Sequence, residues 1–576
     1  MMDPAYFSPR FLLLSVCAPS ALFALTGEAA GIPVYSPEVS IGYVYEDTGV
    51  EGEPRYSHAP DVVRFQGTYL AVWMGNPNGS EGKPGQALYL STSTDFTIWS
   101  PPQTLFSDIY GWAVPWQPAL VNVHDEDLYC AWSMPSEGRL VVSRTTDGKT
   151  WTHQDVPAAP GAVQDRLTGF PTGHGLVTSK GRILIPCSLP PVSKKGLWIR
   201  NRLQAVLISD DNGTSWYWSE PIAGAQWSGH GGDPAQHGDD DQIYHWELSL
   251  YEQADGTLRF LARNTSRMPD PGREDYRTLL TGESRDGGLS WTEAVPVEID
   301  SLSARPFAAK ASPSEGLLAV ANDWVRSVPQ SSWNTRFGLS LFLSPVDDPN
   351  LLLPGPLVQP ENGLACYPDG IVSGDALYLV YTQGRGEHGY ANIGATRVEP
   401  LPDFTRPFLL PRGARQGLTL DDTLARFSLP ESSLALVLPP ELTAKEKLTL
   451  QFETRLDALA RNMSILEVGG KTRAGVRLRV SMDPTTGQPR YEAARAGDNA
   501  WQLIGHASEG DWNPFTVTLE NHGVTLQLND NPPVRLPGPV LRKISFGGLS
   551  EAPAWPRPRK SGNPAWSLSL SSIAVN

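Results

Sequence analysis

Reactive side chains gather in only a few places along this chain. One is the stretch from His245-Trp246-Glu247 to Leu261-Ala262-Arg263, where a glutamate opens one strand-like run and an arginine closes the next. If the chain reverses between them, both side chains reach the same end of one hairpin. A second place is Cys366-Tyr367-Pro368-Asp369-Gly370. A phenol, with an ordinary pKa near 10, attacks poorly at neutral pH unless a carboxylate draws off its proton. A third is Tyr56-Ser57-His58-Ala59-Pro60, where His58 is of the one residue type that ordinarily titrates near neutrality. The loop 227–245 holds His230, His237 and His245 with Asp233, Asp239, Asp240 and Asp241. Their spacing fits no metal-ligand frame, so the loop reads as solvated and substrate-contacting.

What must position these residues is a set of many short strands. The chain has 54 Gly, 52 Pro and 18 Trp in 576 residues, with no collagen-like period. That pattern punctuates an all-β protein. Several tryptophans close a recurring motif. Ser209-Asp210-Asp211-Asn212-Gly213-Thr214-Ser215-Trp216 and Ser284-Arg285-Asp286-Gly287-Gly288-Leu289-Ser290-Trp291 share one pattern, and two looser copies end at Trp99 and Trp151. Each follows a strand-like run and suits a hairpin tip: Asp accepts bonds from the turn amides, Gly supplies positive φ, and Trp folds back. Apolar runs entered by Gly or Asp recur six times, at 67–73, 127–132, 181–186, 256–261, 316–320 and 375–380. Steps of roughly 55 to 75 residues between them predict six blades with decorated loops, and these runs as the blades' inner strands.

The Trp-closed motif resembles the Asp-box of sialidase-like β-propellers, and the resemblance covers most of residues 50–400. The segment 245–263 is similar to a sialidase stretch that holds the glutamate partner of the nucleophile and one arginine of a carboxylate clamp. Residues 366–370 resemble the element that carries the nucleophilic tyrosine. The resemblance therefore implies retaining hydrolysis with Tyr367 as nucleophile, Glu247 as its base, and Arg263 as one clamp. Arg305 or Lys310 would supply another clamp, with Asp369 beside the substrate. Two positions depart from the family. His58 stands where an arginine is expected, and could itself serve as acid/base. Only Glu81 lies near the expected acid/base aspartate. The segment 173–186, Gly173-His174-Gly175 onward, is similar to a blade-three signature and reads as architectural.

The expected organisation is a signal peptide at 1–30, a six-bladed propeller at 31–412 and a β-sandwich of jelly-roll type at 413–576. The start, with Arg10 before an apolar run and small residues to Ala30, fits a secretory signal cleaved after Ala29 or Ala30. An uncleaved anchor is the alternative. The sandwich loosely resembles concanavalin and laminin-G domains, as a sugar-binding module or a packing domain. Cys130, Cys187 and Cys366 lie in or beside apolar runs and read as small buried hydrophobes. A net charge of −16 argues against nucleic acid or anionic membrane as partner. The sequence thus predicts an exported glycosidase that acts on a terminal sugar, needs no cofactor or metal, and meets a glycan. A non-catalytic carbohydrate-binding propeller and a uronate lyase are the rival readings.

Overall fold

The protein is described by a computed structural model covering residues 34–572, less 108–113, 135–138, 158–169, 190–203, 224–244, 265–277, 323–335, 548–565 and shorter connecting stretches. The expected signal peptide lies outside the described residues, as do His230, His237, Asp233, Asp239, Asp240 and Asp241. The chain is all-β: a six-bladed propeller followed by a β-sandwich.

Each blade is an antiparallel sheet laid down in chain order. Blade one, for example, runs Tyr56–Phe65, Thr68–Asn76, Ala87–Ser93, Gln103–Ser107. The ring is closed by Glu38–Tyr45, which becomes the outermost strand of blade six by pairing with His388–Glu399. The apolar runs expected as inner strands are the second strands of their blades. The innermost strands are the ones before them: Tyr56–Phe65, Trp116–Val123, the broken pair Phe170–Pro171 and Leu176–Val177, His245–Glu252, Phe307–Lys310 and Ala365–Ser373. The second strands score as most apolar because blades cover them on both faces. The innermost strands carry polar residues such as His58, Asp61, Glu247 and Asp369, which breaks the apolar signal.

The four Asp-boxes join third and fourth strands, so they sit on the side of the disc where the innermost strands end. Their carboxylates tie the turns. Asp147 accepts from Lys149 N at 2.8 Å and Thr150 N at 2.7 Å, and Asp286 from Leu289 N and Ser290 N at 3.0 Å. Cys130, Cys187 and Cys366 are buried free thiols.

Two seven-stranded antiparallel sheets form the sandwich over a core that includes Leu450, Phe452, Leu478, Tyr491, Phe515 and Val517. Its first strand, Phe408–Arg412, packs Phe408 and Leu410 into the apolar cluster shared by blades five and six.

Blade three departs from its neighbours. Its innermost strand is interrupted over 172–175, where Gly173 and Gly175 press on adjoining blades. A Cβ on Gly173 would stand 2.1 Å from the Leu248 carbonyl oxygen, and one on Gly175 would stand 2.0 Å from Val121 Cγ2. Gly173→Ala is therefore expected to lower the unfolding free energy by roughly 1–3 kcal/mol. Gly42→Ala, with nothing within 4 Å, serves as the control and should leave the urea midpoint unchanged.

Candidate functional site

Four innermost strands share one irregularity near their first residues. Register breaks lie between His58 and Asp61, Trp116 and Ala119, Trp246 and Leu248, and Cys366 and Asp369. Inside each sits a non-glycine residue with left-handed backbone: Ala59 (φ 49°), Gln117 (φ 30°), Glu247 (φ 52°) and Tyr367 (φ 56°). Such a conformation costs about 1–3 kcal/mol and collects at functional sites. A bulge with a left-handed residue re-aims a side chain that regular alternation would bury between blades.

Three of these side chains come together. Arg263, paired opposite Trp246 from the next strand, donates from one nitrogen, Nη1, to Glu247 Oε2 at 2.9 Å and to Tyr367 Oη at 2.8 Å. Gln117 Nε2 reaches the other oxygen of Glu247 at 3.4 Å. All four residues are buried. Burial pushes the Tyr367 phenol well above its ordinary pKa, while the Arg263 and Arg336 charges pull against it. Arg263, expected as one carboxylate clamp, bridges the phenol and the carboxylate in this structure.

A second wall flanks the phenol. His58 stacks on Tyr390 (centroids 4.5 Å apart, 7° between planes) and stands 4.3 Å from the Tyr367 ring. Its Nδ1 lies 2.9 Å from Thr382 Oγ1, which also accepts from Ala59 N at 3.0 Å. Burial, then the charges of Arg336, Arg305 and Arg263, drive the His58 pKa well below its usual value. Held uncharged in this way, the ring is not poised as a general acid. Arg336 donates to Tyr390 Oη at 3.1 Å and sets its guanidinium 5.2 Å from the centre of the Tyr367 ring. Glu81 lies on the turn between the second and third strands of blade one and keeps much of its surface in solvent. Its carboxyl end is nonetheless enclosed enough that burial raises its pKa, and the charge of Glu247 raises it further.

Beneath the phenol, the channel floor is ionic. Arg305 Nη2 donates to Pro60 O at 2.7 Å and stands 3.3 Å from Asp369 Oδ2. The other Asp369 oxygen is 3.3 Å from His174 Nδ1, which is 2.7 Å from Asp61 Oδ1. Leu120 N donates to Asp61 Oδ2 at 2.6 Å. Asp369 and Arg305, expected at the substrate, are thus paired with each other and almost fully enclosed. Lys310 stands at the far end of the innermost strand of blade five, opposite Leu317, about 10 Å of strand beyond Phe307. It thus stands at the end of this strand away from Arg305, the residue of this blade that lies against the Tyr367 ring.

Of the residues expected from the sequence, the structure brings Tyr367, Glu247, Arg263 and His58 together, with Arg305 against the Tyr367 ring. Arg336, Gln117, Tyr390 and the His174–Asp61 pair join them without having been expected there. Gly173-His174-Gly175 was visible as a motif, but nothing local says across which channel His174 reaches. No spacing signal marks Arg336.

The BNR repeat-like domain matches residues 67–379 of this chain. No curated protein matches it. Among solved structures, the chain is similar to a Dyadobacter fermentans protein of unknown function (18 % identity over 63 % of this chain and 99 % of that one, TM-score 0.47). It is also similar to Trypanosoma rangeli sialidase in complex with 2,3-difluoro-KDN (14 % identity, 94 % and 96 % covered, TM-score 0.49). A third likeness is to the NanB sialidase of Streptococcus pneumoniae (12 % identity, 62 % and 70 % covered, TM-score 0.47).

Arg263→Met leaves the Glu247 carboxylate buried without its cation and should destabilise the fold by about 3–5 kcal/mol. Adding Glu247→Gln should recover most of that loss, and Lys310→Met should stay within about 0.5 kcal/mol. Urea unfolding of the four proteins checks all three.

Proposed function

We propose that this chain, which belongs to the BNR repeat-like domain family, releases a terminal acidic sugar from glycans by a retaining mechanism in which Tyr367 is the nucleophile. The observation that carries this reading is the convergence of Tyr367, Arg263 and Glu247, from blades six and four, on one nitrogen at one mouth of the channel. A phenol kept protonated by burial needs a base at the moment of attack, and Glu247 is the adjacent carboxylate. Tyr367 Oη bonds to the anomeric carbon, its proton passes to Glu247, and the bond from that carbon to the glycosidic oxygen breaks. Arg263, bonded to both groups, holds the oxygens in place and steadies the charge as it moves from carboxylate to phenolate.

The departing oxygen takes a proton from Glu81. Its raised pKa suits a general acid, whereas His58 is held neutral. Water then cleaves the tyrosyl–sugar bond, with Glu81 as the base, and configuration is retained. Arg336 and Arg263 supply the positive charge that an acidic sugar requires, and the stacked His58–Tyr390 pair offers a flat wall to its ring. The apolar run after Arg10 supports export of the enzyme.

Tyr367→Phe is expected to abolish sugar release from a glycan panel while affinity for the same glycans, read by calorimetry, survives. Wild-type protein that binds glycans but releases no sugar would make this a binding propeller instead. Glu81→Ala should slow hydrolysis of natural glycosides by about 10²–10⁴-fold. Aryl glycosides, whose leaving groups need no proton, should lose far less. Because Glu81 must be protonated, kcat/KM should fall as pH rises through its elevated pKa, and that limb should vanish in Glu81→Ala on aryl substrates.

A further inference from the structure

We propose that His174 is a positioning residue of this site: a cationic strut that crosses the channel floor from blade three to blades one and six and holds Arg305 beneath the Tyr367 ring. The inference rests on the reading of Tyr367 as nucleophile.

Placement is the first argument. Blade three lies between blades two and four, yet the His174 ring bonds to neither. The break in its innermost strand, with Gly173 against Leu248 and Gly175 against Val121, pushes His174 inward until Nδ1 meets Asp61 of blade one at 2.7 Å and Asp369 of blade six at 3.3 Å. Those two carboxylates hold equivalent places, each two residues past a left-handed residue, Ala59 and Tyr367 respectively. Asp369 is therefore fixed to the same bulge that aims the phenol. Its second oxygen holds Arg305 Nη2, and the Arg305 guanidinium lies 5.6 Å from the centre of the Tyr367 ring. A displacement of His174 passes through Asp369 and Arg305 to the Tyr367 ring in three contacts.

Charge is the second argument. Two buried carboxylates of like sign cannot sit together unless cations separate them. Asp61 and Asp369 face His174 directly, with Arg305 behind Asp369 and the Cys130 thiol beside Asp61. One imidazolium and one guanidinium balance them without a further ion. Burial opposes the His174 cation, but Asp61 and Asp369 overrule it and raise its pKa to about 10, while burial and Asp369 raise Asp61 to about 6. Among the described residues, Asp61, His174 and Asp369 also have the spacing of metal ligands. A divalent ion would have to displace the His174 proton and sit beside Arg305, so the proton is the better occupant.

The sign of the pH dependence follows. A histidine whose pKa is raised on folding adds stability that is complete below about 6.5 and lost as pH rises through about 10.

Three measurements test the strut. In isotope-labelled full-length protein, the His174 imidazole signal, assigned by its loss in His174→Gln, should stay that of the charged ring until about pH 10. Titration near 6.5 overturns the proposal, as does a stoichiometric divalent ion that is lost in Asp61→Asn. His174→Gln keeps a donor but not the charge. It should lower kcat by about tenfold to a hundredfold with KM nearly unchanged, and should shift the acid limb of kcat to higher pH, because one carboxylate then keeps its proton. Unchanged kcat and pH profile in a folded variant would overturn the positioning role. Asp61→Asn added to His174→Gln should restore thermal stability by removing the excess charge. The imidazole signal and the thermal rescue do not depend on turnover. They can therefore fail while the wild type still releases sugar, or hold if it releases none.

Discussion

The site depends on a backbone constraint before it depends on any charge. An innermost propeller strand has a neighbouring blade against each of its faces, so alternating side chains go into packing and none is aimed at the channel mouth. A bulge with one left-handed residue breaks that alternation, and four of the six innermost strands use it at the same level. Glycine would take this conformation without strain, but it has no side chain to deliver. The chain instead places Ala59, Gln117, Glu247 and Tyr367 there, and the surrounding sheets hold them in place.

Burial then dictates the electrostatics. The carboxylates that the innermost strands bring near the phenol are enclosed, and each has an opposite or donating partner. Glu247 has Arg263, Asp369 has Arg305 and His174, and Asp61 has His174 and the Leu120 amide. The same enclosure keeps His58 neutral and Tyr367 protonated, and it raises Glu81. One low-dielectric pocket thus yields a protonated nucleophile, a base already bonded to a cation, and a carboxylic acid that keeps its proton longer than usual.

Rigidity at the mouth is inherited from the ring. Glu38–Tyr45 closes blade six from the far end of the chain, on the sheet that carries Tyr367. The strand Phe408–Arg412 ties the sandwich to the apolar cluster of blades five and six. The sheet that bears the proposed nucleophile is therefore braced by segments from both sides of the propeller.

Much of this was legible in the residues. The Asp-box turns, the six-fold recurrence, the following sandwich, and Glu247, Arg263 and Tyr367 are written in local pattern, because turns and strands are set by neighbours a few positions apart. Which strand lies innermost was misread, since the innermost strands, though also covered by blades on both faces, carry polar residues such as His58, Asp61, Glu247 and Asp369, and the strand after each of them reads as the more apolar. The roles of Arg305 and Asp369, the neutrality of His58, and the part played by His174 and Arg336 were decided only by the tertiary structure. His174 meets Asp61 across 113 residues of chain, and Arg263 meets Tyr367 across 104. Partners that distant are chosen by ring closure and bulge geometry, and a side chain's charge state follows from its partners rather than from its type.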